Sequence, residues 1–435
     1  MSTARSARRL VCALAVAAGV VLAGASPALS ATTTTPSAVV PDAAAADSCV
    51  SGAAAFSPAP PAALSLLQAE RAWKITRGGG VLVAVVDSGI NASDPRLASR
   101  MAGGVNLVND GTDPNGYTDL LGHGTAIAGI IAAQPDRRSA LVGLAPDARL
   151  YSVRVYATTG EEADKAGVGP DVLRLAAGIR AAADSGAQII NVSMSTPFFS
   201  PEIDEAVAYA QRKGALLIAS GGNVEASDTE ITIGSTQADA ADERYPAGSP
   251  GVLGVTATSV PGDAVTDASI HGAHIALAAP GQGVLTLGLN TGDCFFNDDP
   301  KSSWSTAYAS GAAALVAAAY PRETREEWAY RLTATALRGN PDARDDQAGW
   351  GIVQPAAALA LLPGADTRGP ASPFVPKQEA SATPTPETIV IAGPSDQHER
   401  DMTRVVLIAV LSAGALGFVG VISIARNRRE RQRIE

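Results

Sequence analysis

Asp87, His123 and the serine-rich segment 301–311 (KSSWSTAYASG) supply a carboxylate, an imidazole and several hydroxyls in that chain order. Acyl transfer uses these three group types as orienter, general base and nucleophile. Asp87 closes the apolar run VLVAVV, and an ionisable group at the end of a buried strand must be hydrogen-bonded or paired. His123 stands between Gly122 and Gly124 at the start of the small-residue run AIAGIIAA, where missing side chains let other groups approach closely. The serines lead into AAALVAAAY; a serine in the first turn of such a helix is either an N-cap or a nucleophile held in the positive field of the helix end. Taken singly, each residue has an ordinary structural reading as a loop cap, a structural histidine or a helix cap. Together, in this order, they read as the parts of a hydrolase. His271 and His274, in SIHGAHIAL, have no such company and read as structural or surface residues.

Groups so far apart in sequence need a scaffold that converges them. Between residues 62 and 362, short apolar runs (GVLVAVVDSG, ARLYSVRVY, AQIINVSMS, ALLIASGGN, GVLGVTATS) alternate with amphipathic stretches. Val172, Leu173, Leu175, Ala176 and Ile179 fall on helical spacing within 171–185, as do Ile203, Ala206, Val207 and Ala210 within 201–213. Strands apolar throughout, separated by helices, predict an α/β fold with a mostly parallel central sheet covered by helices on both faces. Working residues gather at the carboxyl ends of such strands.

The chain has 435 residues, 46% of them hydrophobic and 17% charged, which fits one large domain with appendages. Residues 1–30 combine three arginines with an apolar run and small residues up to Ser30. They read as a secretory signal peptide, with an N-terminal transmembrane helix as the alternative. Residues 31–61 form an N-terminal extension, too short for a typical folding pro-domain and expected to stay attached. Residues 363–403 are a Pro, Ala and Thr-rich linker, and 404–425 a single transmembrane helix, uncharged from 405 onward. The basic tail 426–435 then places the C-terminus in the cytosol and the catalytic domain outside the cell membrane. The two ends carry +3 (1–30) and +4 (404–435), leaving −17 on residues 31–403, which argues against nucleic acid as a partner. Three cysteines and four histidines offer no zinc-ligand cluster. No metal or other cofactor is expected, and no carboxylate cluster is specific enough to assign calcium. Cleavage would remove Cys12, so Cys49 and Cys294 are expected to form one disulfide in an oxidising compartment; two free thiols is the alternative.

VAVVDSGI around Asp87, LGHGTAIAGI around His123, VGLAPDARLYSVRV, IINVSMS, LIASGGN and IALAAPGQGV resemble, in order, the motifs of the subtilisin-like serine proteases (subtilases, peptidase family S8). The likeness covers roughly residues 70–360. The layout of signal, extension, Pro-rich linker and single C-terminal span is similar to that of the mycosins, membrane-anchored subtilases associated with type VII secretion in actinobacteria. The resemblance implies a subtilisin-like fold and a serine endopeptidase acting on protein or peptide substrates, with a type VII secretion membrane complex as a further partner.

Residue by residue, the resemblance makes Asp87 the orienter, His123 the base and Asn223 the oxyanion-hole donor, with Asn191, Ser193 and Met194 in the segment that pairs with substrate as an added strand. The serine box departs from the family's Gly-Thr-Ser pattern. Ungapped alignment from Tyr308-Ala309-Ser310-Gly311 makes Ser303 the nucleophile, with Lys301-Ser302 replacing Gly-Thr. Choosing Ser305 keeps Ser-Thr-Ala but needs a two-residue deletion inside the helix, a rotation of about 200°. Lys301 is expected to strain a backbone position that glycine takes freely, and Ser195-Thr196, where the family has glycines, to narrow the pocket. These departures also admit a second reading: a weakly active or inactive subtilase-fold subunit of a secretion complex.

Overall fold

The computed structural model describes residues 49, 53–224, 243–259, 268–296, 299–375 and 396–431. The expected signal peptide, most of the extension before residue 53, much of the linker and the last four residues of the tail lie outside the described residues. The polypeptide divides into two units, 1–375 and 376–435.

Within the first unit, β1 (Leu82–Asp87), β2 (Met101–Asn106), β3 (Arg149–Arg154), β4 (Ile189–Val192), β5 (Leu216–Ser220), β6 (Leu253–Thr258) and β7 (Ile275–Pro280) form a seven-stranded sheet in the order β2-β3-β1-β4-β5-β6-β7. Every pairing is parallel. Four helices matter for the site: α1 (His123–Ala132), α2 (Val172–Asp184), α3 (Pro201–Arg212) and α4 (Ser302–Ala319). The two-residue strand period decides which helix covers which face. Val83, Val85, Ile189, Leu216 and Ile218 pack into one apolar cluster with α1 and α4. Their neighbours Ala84, Val86, Ile190, Val192, Leu217 and Ala219 pack into the other with α2 and α3. Each fully buried Val, Leu or Ile stabilises by about 1.5–3 kcal/mol, so a one-residue slip of any central strand would move such residues onto the wrong face.

The ends of the covering helices follow from sequence. Asp171 accepts from Arg174 N (2.8 Å) to start α2, and Ser200, followed by Pro201, accepts from Ile203 N (3.3 Å) to start α3, as N-caps do. Helix α4 differs, since every residue from Ser302 to Ala317 is buried. Its hydroxyls are therefore largely bonded internally: Thr306 Oγ1 donates to Ser302 O (2.7 Å) and Ser310 Oγ to Asn191 Oδ1 (2.9 Å).

Beyond the five runs that read as strands, the sheet gains two edge strands. β2, Met101–Asn106, carries Gly103-Gly104 and is half-buried throughout, so it shows no apolar run; β7 shows only a short one. The antiparallel hairpin β8 (Val284–Leu287) and β9 (Asp293–Phe296) lies apart from the main sheet. It is tied to the N-terminal extension by the Cys49–Cys294 disulfide, whose Cα atoms are 5.3 Å apart. Backbone bonds from Leu289 N to Cys49 O (2.8 Å) and from Asp293 N to Ala55 O (2.7 Å) run beside it.

The second unit contains the helix Asp396–Arg431. Its stretch Met402–Ile424 has 23 residues and a mean hydropathy of 2.6, long and apolar enough to cross a membrane.

Candidate active site

The strand order reverses about β1, whose neighbours are β3 and β4, and the carboxyl ends of β1, β3, β4 and β5 converge there. Asp87 is the last residue of β1 and is almost fully buried. Its Oδ1 accepts three hydrogen bonds: from Ser88 N (2.8 Å), from His123 Nδ1 (2.7 Å) and from Tyr156 Oη (2.8 Å). A carboxylate facing Nδ1 fixes the tautomer with the proton on that nitrogen, leaving Nε2 as the basic atom.

His123 is the first residue of α1, behind Gly122 at φ 88°. Gly124 must be glycine for a steric reason, because a Cβ there would lie 2.1 Å from Gly89 O and 3.2 Å from the Asp87 Cβ. The start of α1 is held by Asp119, buried within the same loop. Its Oδ1 accepts from Ser88 Oγ (2.9 Å), Leu121 N (3.1 Å) and Gly122 N (2.8 Å), and its Oδ2 from Thr125 N (2.9 Å) and Thr125 Oγ1 (2.7 Å). Ser88 Oγ in turn accepts from Gly124 N (2.9 Å). Burial pushes the Asp119 carboxyl above its ordinary value, while Thr125, Gly122 and Ser88 pull against it as donors. Asp119→Ala would leave several buried donors unpaired. It is expected to lower stability by at least about 3 kcal/mol, read as a lower denaturant midpoint; an unchanged midpoint would remove Asp119 from this role.

On the facing side, α4 begins at Ser302 with Lys301 preceding it. Lys301 is buried but sits at φ −116°, ψ 128°, ordinary extended backbone open to any L-residue. The strain expected from replacing glycine there is absent. Ser302 N donates to Asn223 Oδ1 (2.9 Å), and the hydroxyls of Ser220 and Ser302 are 2.6 Å apart, so the end of β5 is bonded to the first turn of α4. The turn before Asn223 is braced by His274, whose Nε2 donates to Gly221 O (3.0 Å). Burial pushes the His274 imidazole down, favouring the neutral ring; this histidine is structural.

The two candidate serines are in different states. Ser305 Oγ donates to Ala279 O (2.9 Å) and is fully buried. Ser303 is 5% exposed, and its Oγ has no hydrogen-bond partner among the described residues. The same holds for His123 Nε2. These two atoms do not hydrogen-bond to each other here, the looser geometry common in substrate-free sites. Trp304, directly after Ser303, lies against His123 with ring centroids 5.0 Å apart and stacks on Phe296 at 4.7 Å.

Asn191, Ser193 and Met194 are buried. Asn191 Nδ2 donates to Ser193 Oγ (3.0 Å), and Ser193 Oγ to Ser303 O (3.0 Å). Their polar side chains thus hold α4 in place. Ser195 and Thr196 are buried as well, Thr196 exchanging two 2.9 Å backbone bonds with Tyr245.

Ser88, Asp119, Tyr156 and Trp304 do not stand out in the sequence. Ser88 and Tyr156 follow β1 and β3 closely, so position at a strand end was the available signal; Trp304 and Asp119 carry none beyond proximity to the serine and histidine motifs.

The subtilase family model matches residues 78–351. Mycosin-3 of Mycobacterium tuberculosis (strain ATCC 25618 / H37Rv) is 32% identical over 414 residues, covering 85% of each chain. The crystal structure of MycP1 from Mycobacterium smegmatis superposes with a TM-score of 0.60 at 29% identity, covering 75% of this chain and 93% of that one. A second solved structure, described as the serine protease MycP1, an essential component of the type VII (ESX-1) secretion system, has a TM-score of 0.58 at 29% identity and covers 72% and 93%. With a fold and an aspartate–histidine pair of this kind, and with relatives of this extent, the chain belongs to the subtilase family of serine proteases, related to the mycosins.

Proposed function

We propose that the chain is an exported, membrane-anchored serine endopeptidase that works through Asp87, His123 and Ser303 and is associated with type VII secretion. The observation that carries this reading is the pairing of Asp87 with His123 Nδ1 at 2.7 Å while His123 Nε2 and Ser303 Oγ are both left without partners among the described residues. His123 Nε2 takes the Ser303 proton as Oγ attacks the scissile carbonyl, and Asp87 stabilises the imidazolium. The Asn223 carboxamide N–H and the backbone N–H at Ser303 bind the oxyanion, helped by the positive end of α4. His123 returns the proton to the leaving amine, and a water activated by His123 then hydrolyses the acyl-enzyme. The segment from Asn191 through Ser193 and Met194 offers backbone groups to the substrate as an added strand.

The proposed layout is a signal peptide (1–30), an extension kept by the disulfide (31–61), the peptidase domain (62–362), a linker (363–403), a membrane span (404–425) and a cytoplasmic tail (426–435). The apolar helix supports an anchor, and the association of the related MycP3 and MycP1 proteases with type VII secretion systems supports that setting.

The test is fluorophosphonate labelling of the detergent-solubilised full chain, followed by peptide mapping. A single adduct on Ser303 is the expected result. An adduct on Ser305 would overturn the assignment of the nucleophile, and a folded sample that takes no label would favour a non-catalytic subunit of the secretion complex.

A further inference from the structure

Asp87 is flanked by a group that acid–base–nucleophile chemistry does not require. Tyr156 lies two residues beyond β3, the strand paired with β1 through Asp87↔Arg154, and Val155 N donates to Asp87 O (2.9 Å). This backbone bond fixes the chain beside Asp87 and leads the following residue back over the carboxylate. Tyr156 is fully buried in the apolar cluster formed with Val86, Leu175, Val192 and Met194. Its hydroxyl is 2.8 Å from Asp87 Oδ1 and 3.4 Å from His123 Nδ1. Burial, then the Asp87 charge and the bond to it, push the phenol well above its ordinary value, so the oxygen keeps its proton and donates it. Asp87 Oδ2 has no partner among the described residues, so the carboxylate is held through Oδ1.

We propose that Tyr156 is a positioning residue for catalysis: its buried hydroxyl, donating to the same Asp87 oxygen that faces His123 Nδ1, fixes the carboxylate rotamer and with it the direction of the imidazole. Three donors share the charge of one oxygen. Without the phenol, Ser88 N–H and His123 Nδ1–H share it alone, the Nδ1–H bond draws more of it, and the carboxylate loses one of the contacts that stop it turning about its Cβ–Cγ bond. A charge-assisted bond of this kind is among the stronger neutral-donor contacts. Substrate binding does not involve it, so the loss falls on kcat.

The inference rests on the reading of Asp87 and His123 as a catalytic pair. The decisive variant is Tyr156→Phe, which keeps the ring that fills the cluster and removes only the hydroxyl. Using the full chain in detergent, kcat on a peptide substrate is expected to fall roughly tenfold, the scale of one charge-assisted hydrogen bond, with KM unchanged. The His123 Nδ1–H proton resonance is expected to move downfield. Tyr320→Phe serves as a control, since its hydroxyl bonds Leu359 O outside the site; it should leave both readouts as in the parent. An unmoved resonance, or a kcat equal to that of the parent, would make Tyr156 a space-filling core residue and overturn the proposal. The resonance requires no turnover. If the parent chain proves inactive, the proposed function fails while the Tyr156–Asp87 contact is still read, and a shifted resonance there supports the positioning role by itself.

Discussion

Ser303→Ala is expected to lower kcat by about 10⁶, the scale on which a triad fails when its nucleophile is removed, while leaving the fold intact. The reason for the second half is local. Ser303 Oγ makes no hydrogen bond among the described residues, so its removal leaves no donor or acceptor stranded, and alanine fits the helix without loss of propensity. Ser305→Ala should behave in the opposite way. Its hydroxyl donates to Ala279 O and so binds α4 to the end of β7; losing that bond is expected to cost about 1 kcal/mol of stability with little change in turnover. Measured together, kcat and the denaturant midpoint separate the two serines. Loss of activity in Ser305→Ala with Ser303→Ala still active would reverse their roles.

This pair also shows how far the sequence carries. The choice of Ser303 over Ser305 rests there on an ungapped alignment from Tyr308-Ala309-Ser310-Gly311 and on the helix rotation that a two-residue deletion would impose, because both stand in the same run of serine, threonine and alanine. Only the fold reveals that Ala279 O comes within 2.9 Å of one hydroxyl. The central strands are legible because strands buried on both faces are apolar throughout, as in Val81–Val86 and Ile189–Val192; β2 is not, because an edge strand with Gly103-Gly104 and half-buried positions has no apolar run to show. The strain expected at Lys301 is absent for a related reason. A glycine in a family pattern can mark a positive φ or merely a lack of bulk, and the extended φ of −116° at Lys301 places it in the second case. Tyr156 stayed hidden because an aromatic residue after a strand reads as core, and its apolar ring is indeed core; the hydroxyl acts through a contact with Asp87, 69 residues away in the chain.

Asn223→Ala is the second large effect expected, and its interpretation requires two measurements because the two ends of the carboxamide are given different roles. Its Oδ1 accepts from Ser302 N in the first turn of α4, and its carboxamide N–H is the proposed oxyanion donor. Loss of the acceptor is expected to cost about 1 kcal/mol of stability, as loss of a helix cap does. Loss of the donor is expected to lower kcat by about 10²–10³ with KM nearly unchanged, since a donor aimed at the oxyanion strengthens only as charge develops. Asn223→Asp separates the two. A carboxylate still accepts from Ser302 N and sits favourably near a helix N-terminus, so stability should be kept; it cannot donate, and it repels the oxyanion, so kcat should fall at least as far as in the alanine variant. If either variant turned over within tenfold of the parent, Asn223 would be a helix cap alone, and stabilisation of the oxyanion would fall to the backbone N–H groups at the start of α4.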